Sequence, residues 1–558
     1  MKIRPRVWLV LPPLVFLALF YFFPLAGIFS VSFFPAEGQS TARLLKLFQS
    51  GRYLGVLFFT TWQAALSTLA TLILALPCAY VFARFDFKGK RILQSITTVP
   101  FVLPTVVTAA GFQALLGPRG IFNTMAAQLF GTHAPLINID HTIWFVLLAH
   151  VFYNYTIVLR IVSAFWSQIP RNVIEAGRML GASGIRIFFS ITLPLLLPAI
   201  TAASLLTFMF CFTSFGVVLI LGGPRLATVE VEIYRQALHL FNLPLAAALS
   251  LVQIVFTFGL MFGYTRLERR CSVSLIGDGG RVVSAAARGW KAKFFVRGNV
   301  ALMLLLLGAP LAALLVRSIS TENGLSLVYF AALLENKAQS ILYVPPVNAV
   351  LNSLTYAFAA TVIALLLGIC SAAYLKTPEG KTAGLLDPLL MLPLATSAVT
   401  LGFGFIVALD APPLDIRTSP ILPAIAHALV AFPFVIRSLL PAWRSIPPRL
   451  REAAAVLGAS PPIVWRTVDW PVIRRAMAVG AVFAFAVSMG EFGASVFVVR
   501  PDTPTMPLAI FRFLSHPGPL NYGRAMAMST LLMLITAIGF MLIEWRTARA
   551  GGTAHAAA

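Results

Sequence analysis

Apolar runs long enough to cross a bilayer follow one another along almost the whole of this sequence, and no other feature constrains its fold as strongly. A hydrocarbon core about 30 Å thick takes roughly 20 apolar residues in helical form. On that rule twelve spans are predicted, six in each half. In the first half they run approximately from Val7 to Phe33, Gly55 to Ala83, Leu93 to Leu116, Thr142 to Phe165, Leu195 to Leu221 and Leu243 to Tyr264. In the second they run from Val296 to Leu315, Val347 to Leu375, Leu385 to Leu409, Ile421 to Leu440, Val472 to Val498 and Tyr522 to Ile543. A content of 59% hydrophobic and 11% charged residues, with a mean hydropathy of +0.88, excludes an ordinary soluble domain. The fold class is an all-α polytopic membrane protein. The start has the charged flank of a signal peptide, but its apolar run is too long and lacks a small-residue cleavage site, so it reads as the first span.

The charges fix the orientation. Lys2, Arg4 and Arg6 precede the first span, and alternate loops carry Arg84 to Arg91, Arg171 to Arg186, Arg266 to Arg297, Lys376 with Lys381, Arg444 to Arg475, and Arg546 with Arg549. All fall on one side of a twelve-span topology, and short basic loops stay in the cytoplasm. Both termini are therefore expected there. The net charge of +23 is spread through these loops rather than over one soluble face, which argues against nucleic acid. Residues 1–270 and 296–558 read as two membrane units, and 271–295, with its GDGG stretch, as a basic cytoplasmic linker. Cys78, Cys211, Cys271 and Cys370 have no metal-ligand or redox spacing.

One basic loop occurs twice. EAGRMLGASGIRIFFSITLP runs from Glu175 to Pro194 and EAAAVLGASPPIVWRTVDWP from Glu452 to Pro471, an offset of 277 (452 − 175 = 277) that also relates His150 to His427, Arg160 to Arg437 and Phe215 to Phe492. Earlier spans align at a larger offset, with Thr60 beside Ser353 (353 − 60 = 293). This is the register of a duplicated unit. Within each loop, Gly181 or Gly458 can end one short helix, and Ser183 or Ser460 can cap the next. Pro170 and Pro447 are placed to start the first helix, and Pro194 and Pro471 mark the return to the membrane. The product is a helix-turn-helix elbow whose small residues beside Glu175 and Glu452 leave a flat face for a partner's groove.

At these residues the sequence resembles the integral-membrane subunits of ATP-binding-cassette importers, whose signature is EAA, three residues, Gly, nine residues, Ile, any residue, Leu, Pro. The first copy supplies Glu175, Ala176, Gly181, Ile191, Leu193 and Pro194, with Gly177 replacing an alanine. The second supplies Glu452, Ala453, Ala454, Gly458 and Pro471, with Val468 and Trp470 in place of Ile and Leu. The resemblance implies two tandem type I permease units in a bacterial inner membrane, with both elbows as coupling helices docked on two copies of an ATPase subunit. It also implies a periplasmic substrate-binding protein on the outer side, and ATP and Mg used by the ATPase. The stretches from Phe212 to Gly223 and from Met489 to Leu514, with NYGRAMAMST from Asn521, are similar to the fused permeases of bacterial thiamine importers. Fused permeases for ferric iron share the architecture and are the rival on substrate. A secondary transporter with parallel repeats also has six-plus-six topology, but it needs no paired elbows.

No ATPase machinery is read in the chain. Gly380, Lys381 and Thr382 are the nearest approach to a phosphate loop, and Leu375 stands where that motif needs glycine. In the membrane, Glu491 is the acidic residue placed well inside a predicted span, where a charge costs about 2.5 to 3.5 kcal/mol on insertion scales. Its repeat partner is Ser214. With Phe215 and Phe492 offering ring faces, this asymmetric pair would suit a small cation such as thiamine or its phosphate esters; interhelical bonding of Glu491 and plain packing of the phenylalanines are the alternative. His150 and His427 are further candidates for the pathway, though a hydrogen bond between helices is favoured over a metal site. A free ferric ion would call for several hard oxygen ligands, and Glu491 alone is read.

Overall fold

The computed structural model describes residues 7–34, 49–131, 135–272, 285–287, 289–321, 324–335, 341–376, 381–410, 412 and 414–555. Among them, ten helices are long and apolar enough to cross a membrane: Trp8–Phe33, Gly51–Arg84, Ile143–Gln168, Gly184–Phe212, Leu243–Leu267, Trp290–Ile319, Val347–Leu375, Leu422–Arg444, Pro461–Gly490 and Pro519–Met541. Two bent pairs bring the number to twelve, Ile92–Val102 with Thr105–Phe130, turning by 103°, and Leu386–Ala395 with Ala398–Ala408, turning by 95°. Large side chains such as Phe58, Ile73, Leu305 and Phe358 project outward, as a lipid-facing surface requires.

The bent pairs correct the expectation of straight third and ninth spans. Pro104 cannot donate a backbone bond and disfavours helical geometry at the residue before it. Leu103 is extended accordingly, at φ −66° and ψ 141°. At the second bend the chain is extended at Thr396 and Ser397, and the Ser397 hydroxyl restarts the helix by accepting from the amides of Val399 and Thr400. The fifth and eleventh spans also end earlier than expected. Their helices end at Phe212 and Gly490, and only the short turns Gly216–Leu221 and Ser495–Val498 follow. Outside the third span, Ile121–Phe130 is helical, and Asn123 ties it down by donating to the carbonyls of Gly117 and Ile137 and accepting from the Ile137 amide. The central part of the 271–295 linker lies outside the described residues. Helices Leu243–Ser272 and Trp290–Ile319 enter it from its two ends, and Ala285–Ala286 pairs with Phe85–Asp86.

The first span of each half packs on the other half. Trp8–Phe33 lies against Val347–Leu375 and Ala398–Ala408, while Trp290–Ile319 lies against Thr105–Leu116 and Gly51–Arg84. Tyr21, fully buried, shares a 2.7 Å hydrogen bond with Thr396, and Gly111 lets the backbone of Pro310 approach closely. The halves are therefore interlocked by exchanged helices. Equivalent bonds recur in both: the Val229 amide donates to the Thr60 hydroxyl at 3.0 Å, and the Met506 amide to the Ser353 hydroxyl at 2.8 Å. These four residues stand at the two offsets of 293 (353 − 60) and 277 (506 − 229).

Within the second half, Val347–Leu375 packs on Leu422–Arg444 at Gly368, where an added Cβ would lie 2.5 Å from Cγ1 of Val435. Gly368→Leu is expected to lower the thermal unfolding midpoint of the purified protein, an overpacking cost of about 1 to 3 kcal/mol. An unchanged midpoint would contradict this close approach.

Candidate functional site

Each elbow is built the same way. Helices Arg171–Met179 and Pro448–Val456 both end in a left-handed glycine, Gly181 at φ +76° and Gly458 at φ +83°. The amides of Ala182 and Gly181 bond the carbonyls of Gly177 and Arg178, and those of Ala459 and Gly458 bond Ala454 and Ala455. This is the two-bond closure that a glycine at that position makes cheap. It leaves Met179 and Leu180 at the tip of the first elbow 89% and 88% exposed, and Val456 and Leu457 in the second 87% each. Glu175, Ala176, Glu452 and Ala453 are exposed on the preceding turns.

The elbows differ in how the two helices meet. An added Cβ on Gly177 would lie 3.0 Å from Cδ1 of Ile191 and 3.4 Å from Cγ1 of Ile187. The second elbow has Ala454 at that repeat position, and the smaller Val464 and Val468 at the repeat positions of Ile187 and Ile191 (187 + 277 = 464, 191 + 277 = 468). Volume is exchanged across the contact, so the departure from EAA is compensated locally. The second elbow adds an ion pair, with Arg451 donating twice to the Asp469 carboxylate at 2.8 and 2.6 Å. Ser183 caps its helix by accepting from the Arg186 amide, but Ser460 makes no side-chain cap, contrary to expectation. Pro461 and Pro462 follow it, and proline has no amide to donate. Pro194 and Pro471 do not separate the elbow from the membrane either. π-helical turns at Phe188–Thr192 and Trp465–Asp469 shift the hydrogen-bond register, and the helices run unbroken as Gly184–Phe212 and Pro461–Gly490.

Those two helices lead to a cavity of about 330 Å³ where four chain breaks converge: Leu103–Thr105, Thr396–Ala398, Thr213–Phe215 and Glu491–Gly493. Gly490 admits the Pro104 ring, and Gly216 admits Thr105 and the edge of Phe492. Phe215 and Phe492 stack across the halves, centroids 5.3 Å apart and planes inclined by 25°. Ser214, Phe215, His150, Glu491 and Phe492 all line this cavity. His427 does not border it, but sits behind Glu491, with Nε2 at 3.5 Å from the carboxylate. Each histidine bridges two serines, His150 between Ser67 and Ser214, and His427 between Ser488 and Ser495. Arg160 reaches the Gln94 carbonyl and the Thr98 hydroxyl, whereas Arg437 borders a separate cavity with Arg266 and Asp387.

Two functional candidates were not read from the sequence. Glu230, 1% exposed, lines the cavity from the turn Val229–Tyr234 and accepts from Ser397 and Gln253. Ser397 belongs to the second bend. The available signal was an acidic residue flanked by Val229 and Val231, inside a segment that hydropathy assigns to a loop.

Residues 72–273 match the family described as the binding-protein-dependent transport system inner membrane component. The thiamine transport system permease protein ThiP of Brucella abortus is 27% identical over 499 residues, covering 88% of this chain and 87% of its own. The chain is thus similar to importer permeases along most of its length, and residues 72–273 carry the family match. ThiP of Escherichia coli is likewise 27% identical, with 88% of each chain covered. The putative 2-aminoethylphosphonate permease PhnU of Salmonella choleraesuis is 27% identical over 274 residues, 49% of this permease and 96% of its own length. ATP-binding-cassette permeases work with an ATPase and a substrate-binding protein, so this multi-pass membrane subunit is part of a larger assembly.

The elbow packing of the permease is directly testable. Gly177→Ala forces Ile191 aside and is expected to lower the melting midpoint slightly. Adding Ile191→Val, the pairing of the second elbow, should recover most of that loss. A double variant no more stable than Gly177→Ala would refute the compensation.

Proposed function

We propose that this permease carries thiamine into the bacterial cell, driven by two copies of an ATPase docked on its elbows and fed by a periplasmic binding protein. The observation that carries the reading is the cavity at the four breaks, where stacked aromatic faces and the Glu230 and Glu491 carboxylates offer a cationic heterocycle both ring contact and counter-charge. Similarity to ThiP along 88% of the chain supports the same substrate. A phosphonate anion, the cargo in the printed name of the half-length relative, would meet two carboxylates instead.

The geometry gives the coupling a mechanical route. From elbow to cavity the chain is one helix in each half, 29 residues for Gly184–Phe212 and 30 for Pro461–Gly490, each about 45 Å long at ~1.5 Å per residue. Closure of the ATPase pair on bound ATP and Mg would move the two elbow tips, and the helices would transmit that movement to the breaks at Ser214 and Glu491. Glu175 and Glu452 are the charged anchors of the docked faces, beside Ala176, Ala453 and Ala454, and the exposed tips fill the ATPase grooves. In this arrangement the elbows and both chain ends lie in the cytoplasm.

Uptake of labelled thiamine at low concentration, in cells lacking this chain, tests the proposal. The wild-type chain should restore uptake, and the Glu175→Ala, Glu452→Ala variant should lose at least nine-tenths of it at equal abundance, about 1.4 kcal/mol or more. Thiamine uptake unaffected by deletion would refute the substrate and make ferric iron the next label. Normal uptake by the double variant would refute the role of the two glutamates.

A further inference from the structure

We infer that Glu230, rather than Glu491, meets the positive charge of the transported molecule, and that the Glu230–Ser397 hydrogen bond is the contact the substrate replaces. The inference rests on the import reading above and names the residue that sets its charge selectivity.

Glu491 is already committed within its own break. One carboxylate oxygen accepts from the Ala494 amide at 2.8 Å; the other accepts from the Ser495 amide at 2.9 Å and the Ser495 hydroxyl at 3.0 Å, with His427 at 3.5 Å. Its charge caps the turn Ser495–Val498. A substrate that drew this carboxylate away would uncover buried amide donors, each costing about 1 to 3 kcal/mol.

Glu230 is placed differently. Its turn is held at the base, where the Val229 amide donates to Thr60 and the Thr228 hydroxyl donates to the Ser214 carbonyl. The carboxylate is thus fixed at the cavity wall. Its two hydrogen-bond partners, the Ser397 hydroxyl at 2.6 Å and the Gln253 amide, are both neutral. Among the described residues no basic side chain forms an ion pair with it. Glu232, two residues on, is paired with Arg235 at 3.0 Å and Arg52 at 3.6 Å. The chain therefore neutralises one buried carboxylate of this turn and leaves the cavity-facing one without a cation. A cation that enters the cavity meets this carboxylate without having to displace an ion pair.

The position of Ser397 gives the bond a second property. Glu230 and Gln253 belong to the first half, and Ser397 to the bend of the second. A cation taking the carboxylate loosens a tie between the halves. The residue at the repeat position of Glu230 is Pro507 (230 + 277 = 507), so the device exists once per chain and holds one charge per cycle.

The complete complex of permease, ATPase and binding protein, reconstituted in vesicles, tests this by labelled thiamine imported per ATP hydrolysed, with the melting midpoint recorded for each variant. Glu230→Gln should lower import per ATP at least tenfold without lowering the midpoint. Glu230→Asp, which withdraws the charge by one methylene, should lower it at least threefold. Glu491→Gln should instead lower the midpoint, because it strips the cap from Ser495–Val498. Wild-type import per ATP in Glu230→Gln overturns the inference, and if that variant does not assemble, wild-type import per ATP in Glu230→Asp overturns it. A larger import defect in Glu491→Gln at an unchanged midpoint also overturns it, in favour of Glu491. A wild-type complex that moves no thiamine removes the import reading, and this inference with it.

Discussion

A helix interrupted inside a bilayer leaves amide and carbonyl groups that lipid cannot satisfy, and the centre of this permease is organised around meeting that demand four times. The breaks do not occur singly at the lipid face. They are gathered against one another at a cavity where Pro104, Ser397, Ser214 and Glu491 lie within the same lining. The second half supplies its own caps, through the hydroxyl of Ser397 and the carboxylate of Glu491. The first half has a proline at the corresponding bend and a serine at the corresponding break, bonded to His150. Irregular backbone buried in protein or lining a cavity is the form in which membrane proteins tolerate it, and discontinuous helices are where transporters tend to bind their cargo.

The spans and the elbows were legible because each leaves a direct trace. An apolar run states its own length, and a glycine four residues after the second small residue of the elbow motif states where a short helix must stop. The breaks were not legible for the same reason that the spans were: hydropathy counts apolar residues and is blind to chain direction, so Leu93 to Leu116 and Leu385 to Leu409 read as straight segments. Proline did not resolve the matter. Pro104 accompanies a bend, whereas Pro77, Pro198 and Pro310 sit inside continuous helices, where neighbouring turns absorb the missing donor. Glu230 leaves no such trace, because hydropathy marks a charge inside a span and not one between spans; only the folding of Val229–Tyr234 back into the protein makes it a buried carboxylate.

Duplication followed by divergence explains the unequal halves. Hydrogen bonds from Thr60 and Ser353 to the ends of equivalent helices keep the shared geometry. Chemistry has diverged where the halves face each other, with glutamate against serine at the fifth and eleventh breaks and glutamate against proline in the helices beyond them. The elbows have diverged within a fixed volume, Gly177 with Ile191 on one side and Ala454 with Val468 on the other. A permease assembled from two identical subunits would have to repeat each of these choices on both sides of its axis.

The exchanged first span sets a schedule for the ribosome. Tyr21 is made long before its hydrogen-bond partner Thr396, which lies 375 residues downstream. At ~5–20 residues per second, roughly 20 to 75 s pass before that partner has been made. For that interval a phenol group and the face carrying Leu17 and Ile28, all fully buried in the finished protein, have only lipid and early helices beside them. Assembly of the first half cannot be finished when its last helix emerges; it closes only when the second half arrives to cover it.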